Sequence, residues 1–348
     1  MTRIFVTGMA RSGTTLLARL LAGNGRALFN QPLPLLVPRA MTAWLQARGA
    51  SAERLAYPVT DGQLGDHFEP EMLTEFLDGW RLTPRDAKDL LKACANFSGQ
   101  GFKPDTPLAA LDTWSGGTLA QFIAHYLSAH ACHTATGWVM KELVGEGFLP
   151  SLASAGWTPV LAIRDPRTLI ASMLTGHGEL HVGKPRPIAF LARQWRQSAL
   201  YALAKPCGLH PVRYEDAVAD PIAALAGAGL PEANLSALER VANTSFRDAP
   251  REGLPPRTRR FVEALCFYEM RALGYTPQIG AEDLDAVLQD GPDHEILHRP
   301  ALARYVWGPD RLAEEMTRLE ALRDEGAGFD ARLFIFEAAL QALRAARP

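Results

Sequence analysis

The chain opens on an apolar, largely β-branched run, Ile4-Phe5-Val6-Thr7, and continues with leucines at helical spacing, Leu16, Leu17, Leu20 and Leu21. A short unbroken apolar run predicts a buried strand, and apolar positions recurring every three or four residues predict a helix. The same alternation continues. Gly137-Trp138-Val139-Met140-Lys141, Pro159-Val160-Leu161-Ala162-Ile163 and His210-Pro211-Val212-Arg213-Tyr214 read as further strands. Helical patterns fall at 40–47, 71–80, 84–95, 118–131, 147–155, 167–174, 187–204, 220–228, 235–242 and 257–273. Thr83-Pro84 supplies an N-cap with proline at the first helical position. Continuous apolar strands separated by helices predict an α/β fold, a parallel sheet flanked by helices.

From about 280 the strands stop. Residues 309–324 and 329–346 read as helices, the second with an apolar stripe of Phe329, Leu333, Phe336, Leu340 and Leu343. The expected division is an α/β domain over 1–280 and a helical C-terminal extension over 281–348. The stripe either packs on its own domain or forms the seam of a homodimer.

Composition narrows the function classes. The 348 residues are 47% hydrophobic and 21% charged, with net charge −2. That supports a sizeable core and gives no reason to propose nucleic acid or an anionic surface as partner. Cys94, Cys132, Cys207 and Cys266 form no CxxC pair, so reduced thiols are expected. The histidines form no HExxH pattern; His125 and His130 are five apart, with His133 nearby, and no metal site is expected. No apolar run approaches the ~20 residues of a membrane span. The first strand begins almost at residue 1, which leaves no room for a leader, and a soluble, cytoplasmic protein is expected.

The chemistry gathers first at Gly8-Met9-Ala10-Arg11-Ser12-Gly13-Thr14-Thr15, between the opening strand and its helix. Such a junction turns backbone N–H groups and the positive end of a helix dipole toward an anion. Its two glycines allow a tight turn and a close approach. The spacing is nearly that of a P-loop, but Thr14 stands where the Walker lysine belongs. That lysine reaches the β- and γ-phosphates of a nucleoside triphosphate, so its absence counts against an NTPase or kinase. Arg11 is the cation left in the loop. A second basic turn follows the third predicted strand: Ile163-Arg164-Asp165-Pro166-Arg167, with Ser172 eight residues beyond Arg164. An arginine fork and a hydroxyl can hold a phosphate from two sides. Either turn alone could be structural. Two phosphate sites on one sheet describe a nucleotide with phosphates at both ends of its ribose.

Together these motifs resemble the sulfotransferases that use 3'-phosphoadenosine 5'-phosphosulfate (PAPS), over about residues 1–275. RSGTTLL at 11–17 resembles the 5'-phosphosulfate loop in its arginine form, known from tyrosylprotein and bacterial carbohydrate sulfotransferases. IRDPRTLIASML at 163–174 resembles the 3'-phosphate segment, and VRYEDAVADP at 212–221 a recurrent family segment. The resemblance implies a P-loop-like sulfotransferase fold. It also implies sulfuryl transfer from PAPS, without a metal, to a hydroxyl or amine of a small molecule or saccharide.

By the same resemblance, Arg11, Ser12, Gly13, Thr14 and Thr15 hold the 5' end of the donor, Arg164 and Ser172 the 3'-phosphate, and Tyr214 lies near the nucleotide. Thr244 and Phe246, in Asn243-Thr244-Ser245-Phe246, face the adenine. Arg251, in Arg251-Glu252-Gly253, belongs to a fragment of the closing loop. Lys141, in MKELVGEGFLP at 140–150, contacts the moving sulfuryl oxygens. The base departs from the family pattern: Leu143 occupies the place of the cytosolic enzymes' histidine, and Gln31 stands at or next to the tyrosylprotein enzymes' glutamate. Glu142 and His67 are the candidate bases, with Glu69 and His177 behind them, unless the acceptor is an amine or already ionised. The alternatives are a P-loop-type nucleotide kinase or NTPase and a non-catalytic nucleotide-binding protein.

Overall fold

The apolar runs pair into one five-stranded parallel sheet in the order β2-β5-β1-β6-β7. Its strands are β1 (Thr2–Thr7), β2 (Arg26–Asn30), β5 (Gly137–Lys141), β6 (Thr158–Ile163) and β7 (His210–Arg213). In this computed structural model the described residues are 2–23, 25–30, 36–50, 75–95, 110–129, 136–175, 186–236, 253–293, 303 and 305–348. The register places Val6 opposite Lys141 on one side and Val160 on the other. A separate two-stranded antiparallel pair joins β3 (Arg81–Leu82) to β4 (Gly117–Thr118).

Both faces of the sheet are covered, which is why its central strands read as unbroken apolar runs. Alternate residues serve opposite faces. Ile4, Val6, Val139, Val160 and Val212 pack on α1 (Thr14–Leu21) through Leu16, Leu17, Leu20 and Leu21. Phe5, Met140 and Leu161 pack the other way, against Trp44 of α2 (Leu36–Ala47) and the Phe76, Phe122 and Leu149 side chains. Each fully buried side chain of this size contributes about 1.5–3 kcal/mol of hydrophobic transfer energy.

The remaining helices are α3 (Pro84–Ala95), α4 (Leu119–Ala129), α5 (Leu149–Ser154), α6 (Pro166–Thr175), α7 (Ile188–Ala204), α8 (Tyr214–Ala219), α9 (Pro221–Gly227), α10 (Pro256–Leu265), α11 (Phe267–Ala272), α12 (Leu284–Asp290), α13 (Pro309–Arg323), α14 (Ala331–Phe334) and α15 (Glu337–Ala345). A third core cluster joins Trp195 and Phe261 to Leu284, Leu319, Leu340 and Leu343 of the C-terminal helices. A buried ion network reinforces that contact. Arg196 of α7 meets Glu315 of α13 at 2.6 Å, and Arg318 of α13 pairs with both Glu315 and Glu269 of α11. Burial alone would raise the Glu315 carboxyl; Arg196 and Arg318 outweigh it and hold it below the usual range.

Several boundaries differ from the pattern. β2 has no counterpart among the predicted strands: among the described residues its one sheet neighbour is β5, and Leu28 in it is exposed. The helix expected over 257–273 breaks at Cys266, whose φ −112 and ψ 11 leave the helical region. The one expected over 329–346 breaks at Ile335, φ 58. Within 71–80, the described residues form a π-helical turn at Glu75–Gly79. Of the apolar stripe, Leu340 and Leu343 are buried within the chain's own core and Phe329 is exposed. Among the described residues no helix is long and apolar enough to cross a membrane, and no three ligating side chains converge as a metal centre needs.

Candidate functional site

Parallel sheets bind ligands at the carboxyl ends of their strands. There the order β5-β1-β6-β7 sets Lys141, the 8–13 loop, Arg164 and Tyr214 side by side. Neighbouring strands stand about 4.8 Å apart. The loop is thus one strand from Lys141 on one side and one strand from Arg164 on the other.

The loop's backbone takes positive φ at Gly8 (φ 142), Arg11 (φ 70) and Gly13 (φ 97). Successive turns of this kind point N–H groups into a concavity suited to an anion. The Ser12 amide closes a turn on Met9 O at 3.1 Å, and Gly13 O accepts the Leu17 amide at 3.0 Å. No side chain caps α1, so its first-turn N–H groups face the loop without a side-chain acceptor. Ser12 is buried, and its Oγ has no hydrogen-bond partner among the described residues. Two glycines are required by contact. A Cβ at Gly8 would lie 2.4 Å from Ala162 O of β6, and one at Gly13 would lie 2.4 Å from Tyr214 Cδ2.

Residues that the sequence assigns to two separate phosphates touch one another. Arg11 Nε donates to Ser172 Oγ at 3.0 Å, and Arg164 Nη1 donates to Arg11 O at 3.2 Å. The Arg164 guanidinium lies 4.4 Å from the centre of the Tyr214 ring, which also packs against the α1 core and leaves no room for a Cβ at Gly13. Arg164 Nε also donates to Thr168 Oγ1 at 3.1 Å. Burial lowers the Arg11 pKa, and after burial the strongest influence is the like charge of Arg164; Tyr214 acts in the opposite sense. Two guanidinium groups brought together in this way favour a bound anion between them.

Lys141 stands apart from this group. It shares the α1 face with Val139, two residues earlier, and its side chain is buried. Burial lowers its pKa; Glu142 opposes the shift and Arg19 of α1 adds to it. Glu142 is itself 2% exposed. The chain beyond β5 braces the loop: the Glu142 amide donates to Val6 O (2.9 Å), that of Val144 to Gly8 O (3.0 Å) and that of Gly145 to Thr7 Oγ1 (2.8 Å). Leu143 packs against the third core cluster.

Four supporting residues were given no role by the sequence. Trp195 Nε1 donates to Arg164 O at 2.7 Å, and Glu215 Oε1 accepts the Asp165 amide at 3.0 Å. Arg167 turns away from the site and pairs with Asp165 and Glu263. Beneath the loop, Glu146 is buried; burial raises its carboxyl pKa, and the hydrogen bonds from Ser198 and Thr7 act in the opposite sense. For Glu215 the signal was its place directly after Tyr214, and for Glu146 its place within MKELVGEGFLP; for Trp195 the sequence carries none. Gln31, His67, Glu69, His177, Thr244, Phe246 and Arg251 lie outside the described residues.

The fold and site together define a class: an α/β protein that gathers Arg11, Arg164 and the uncapped start of α1 at the carboxyl edge of a parallel sheet. No protein-family model matches the chain, and no curated protein matches it either. Among solved structures it is similar to the sulfotransferase domain from the curacin biosynthetic pathway, at 15% identity and TM-score 0.34, over 92% of this chain and 97% of that one.

Proposed function

We propose that the chain is a sulfotransferase that moves a sulfuryl group from PAPS to a hydroxyl or amine of a small molecule or saccharide. The observation that carries this is the joining of Arg11, Ser172, Arg164 and Tyr214 into one contact group over Gly13. Two βα turns thereby offer cations to a single doubly phosphorylated ligand. The unpartnered Ser12 Oγ and the uncapped start of α1 fit the 5' end of that donor. Arg164 and Ser172 fit its 3'-phosphate, and Tyr214 its neighbourhood. Thr14, where a P-loop has the lysine that reaches a γ-phosphate, counts against an NTPase or kinase.

In the transfer, the bond between sulfur and the bridging phosphate oxygen breaks as the acceptor's bond to sulfur forms, and the acceptor's proton leaves to a base or to water. Little covalent chemistry falls to the protein, so positioning and charge stabilisation dominate. Arg11, with the 13–15 amides and Thr hydroxyls, takes the charge that develops on the 5'-phosphate. Lys141, across β1, meets the departing sulfuryl oxygens. Glu142, buried beside it, is the candidate base on the described side of the site, and His67 is the other.

A thermal-shift comparison tests this. Adenosine 3',5'-bisphosphate at about 100 times its Kd should stabilise the fold by about 2.7 kcal/mol, and ATP with Mg²⁺ should do far less. Stabilisation by ATP–Mg²⁺ with none by the bisphosphate overturns the proposal in favour of a kinase or NTPase. Bisphosphate binding without turnover of any acceptor points to the non-catalytic alternative.

A further inference from the structure

The turn that presents Arg164 is enclosed by a closed circuit of contacts. Trp195 Nε1 of α7 holds the Arg164 carbonyl at 2.7 Å. The Trp195 ring meets the Tyr275 ring edge-on, with centroids 6.4 Å apart. Tyr275 OH donates to Glu215 Oε2 at 3.1 Å, and Glu215 Oε1 accepts the Asp165 amide at 3.0 Å. Asp165 is the residue after Arg164, so the circuit closes on the peptide it started from. Trp195 and Tyr275 are both buried. Glu215 also follows Tyr214 directly at the start of α8, and Tyr214 is the ring beneath the Arg164 guanidinium. One dipeptide therefore grips Arg164 at both ends, by its backbone through Glu215 and by its head group through Tyr214.

We propose that Glu215 is a positioning residue for the anion site, holding the Arg164 turn in register with the Tyr214 platform and anchored in turn by the Tyr275 hydroxyl. A charge-assisted hydrogen bond from a backbone amide is among the stronger kinds. Its removal frees the turn to shift against the ring without touching any atom that meets the ligand. The inference deepens the proposed function and rests on its assignment of Arg164 to a donor phosphate.

The test compares Glu215→Ala, Glu215→Gln and Tyr275→Phe with the parent. The readouts are bisphosphate affinity by calorimetry, kcat and donor KM, and thermal stability. Glu215→Ala should weaken bisphosphate binding about tenfold or more, the loss expected for a hydrogen bond to a charged group. It should raise donor KM correspondingly while kcat at saturation changes little. Glu215→Gln keeps an oxygen for the Asp165 amide and should recover most of the affinity, and Tyr275→Phe should fall between the two. A merely structural Glu215 would lower the melting temperature of all three variants and leave affinity unchanged well below it. That result, with Arg164→Ala still abolishing binding, overturns the positioning role and leaves the proposed function standing. If the parent does not bind the bisphosphate, the proposed function fails, and inorganic sulfate becomes the probe of Arg164. Weaker sulfate binding in Glu215→Ala, restored in Glu215→Gln, supports the positioning role. Equal sulfate binding in all variants, or none in the parent, overturns it.

Discussion

Substituting Gly13 by alanine sets two costs against each other that a control can separate. Gly13 holds φ 97 and ψ 10 at the start of α1. An L-residue in the left-handed region costs roughly 1–2 kcal/mol. The added Cβ would also stand 2.4 Å from Tyr214 Cδ2. Ordinary carbon contacts begin near ~3.5 Å, so the ring must retreat by about 1 Å. That ring carries the Arg164 guanidinium at 4.4 Å, a cation–π contact in a range worth about 0.5–2 kcal/mol. The expected total for Gly13→Ala is therefore about 2–4 kcal/mol. Gly156 supplies the control: its φ is 81, and nothing lies within 4 Å of a Cβ placed there. Gly156→Ala should cost only the backbone term. Both changes reduce the entropy of the unfolded chain alike, so that contribution cancels between them. Urea titration of both variants, of Tyr214→Ala and of Gly13→Ala/Tyr214→Ala closes the comparison. Removing the ring should relieve the clash, so the double variant should be more stable than additivity predicts by about 1 kcal/mol or more. Bisphosphate affinity should fall in Gly13→Ala and stay unchanged in Gly156→Ala. Equal costs for the two glycines, with additive behaviour at 13 and 214, would refute the keying of the loop to Arg164 through Tyr214.

The buried carboxyl of Glu146 gives a pH signature. Burial raises its pKa in the folded protein above the unfolded value near 4.5, so the unfolded chain releases its proton first. Stability is then lost as pH rises from about 4.5 through the folded value. Glu146→Gln should not show this loss, so its advantage over the parent in urea midpoint should grow from pH 5 to pH 8; parallel profiles would count against a protonated Glu146. Arg11→Ala should lower kcat far more than bisphosphate affinity, and Arg164→Ala should do the reverse; calorimetry beside steady-state rates decides between this division and its opposite. Glu315→Ala leaves Arg196 buried without its carboxylate and should destabilise by about 3–5 kcal/mol in denaturant titration, whereas a loss under ~1 kcal/mol would mean the network contributes little.

The central strands were legible because burial on both faces forces continuous apolar runs, as in Ile4–Thr7 and Pro159–Ile163. β2 was not, because an edge strand with one partner and an exposed Leu28 needs no such run. The breaks at Cys266 and Ile335 were hidden for a similar reason: each interrupts an otherwise helical apolar period, and it is packing in the third core cluster that fixes the bend. At the site, the loop and the Arg164 turn were legible as strand–helix junctions, but their contact was not. It depends on β1 and β6 being neighbours, which no local pattern encodes. That adjacency brings Ser172 of α6 within reach of Arg11 and sets Tyr214 against Gly13. Under the proposed function, it also bears on the direction of transfer. The contact group of Arg11, Arg164, Ser172 and Tyr214 occupies the β1-β6-β7 side, while Lys141 and Glu142 emerge from β5 on the other flank of the loop. On the proposed assignment, a donor held by its phosphates over the first group presents its transferable group across the top of β1. An acceptor aligned with that departure would then approach from the β5 side, where Glu142 is the candidate carboxylate. A base placed on the β7 side would face the donor's nucleoside end, so a search for the missing proton acceptor belongs at β5.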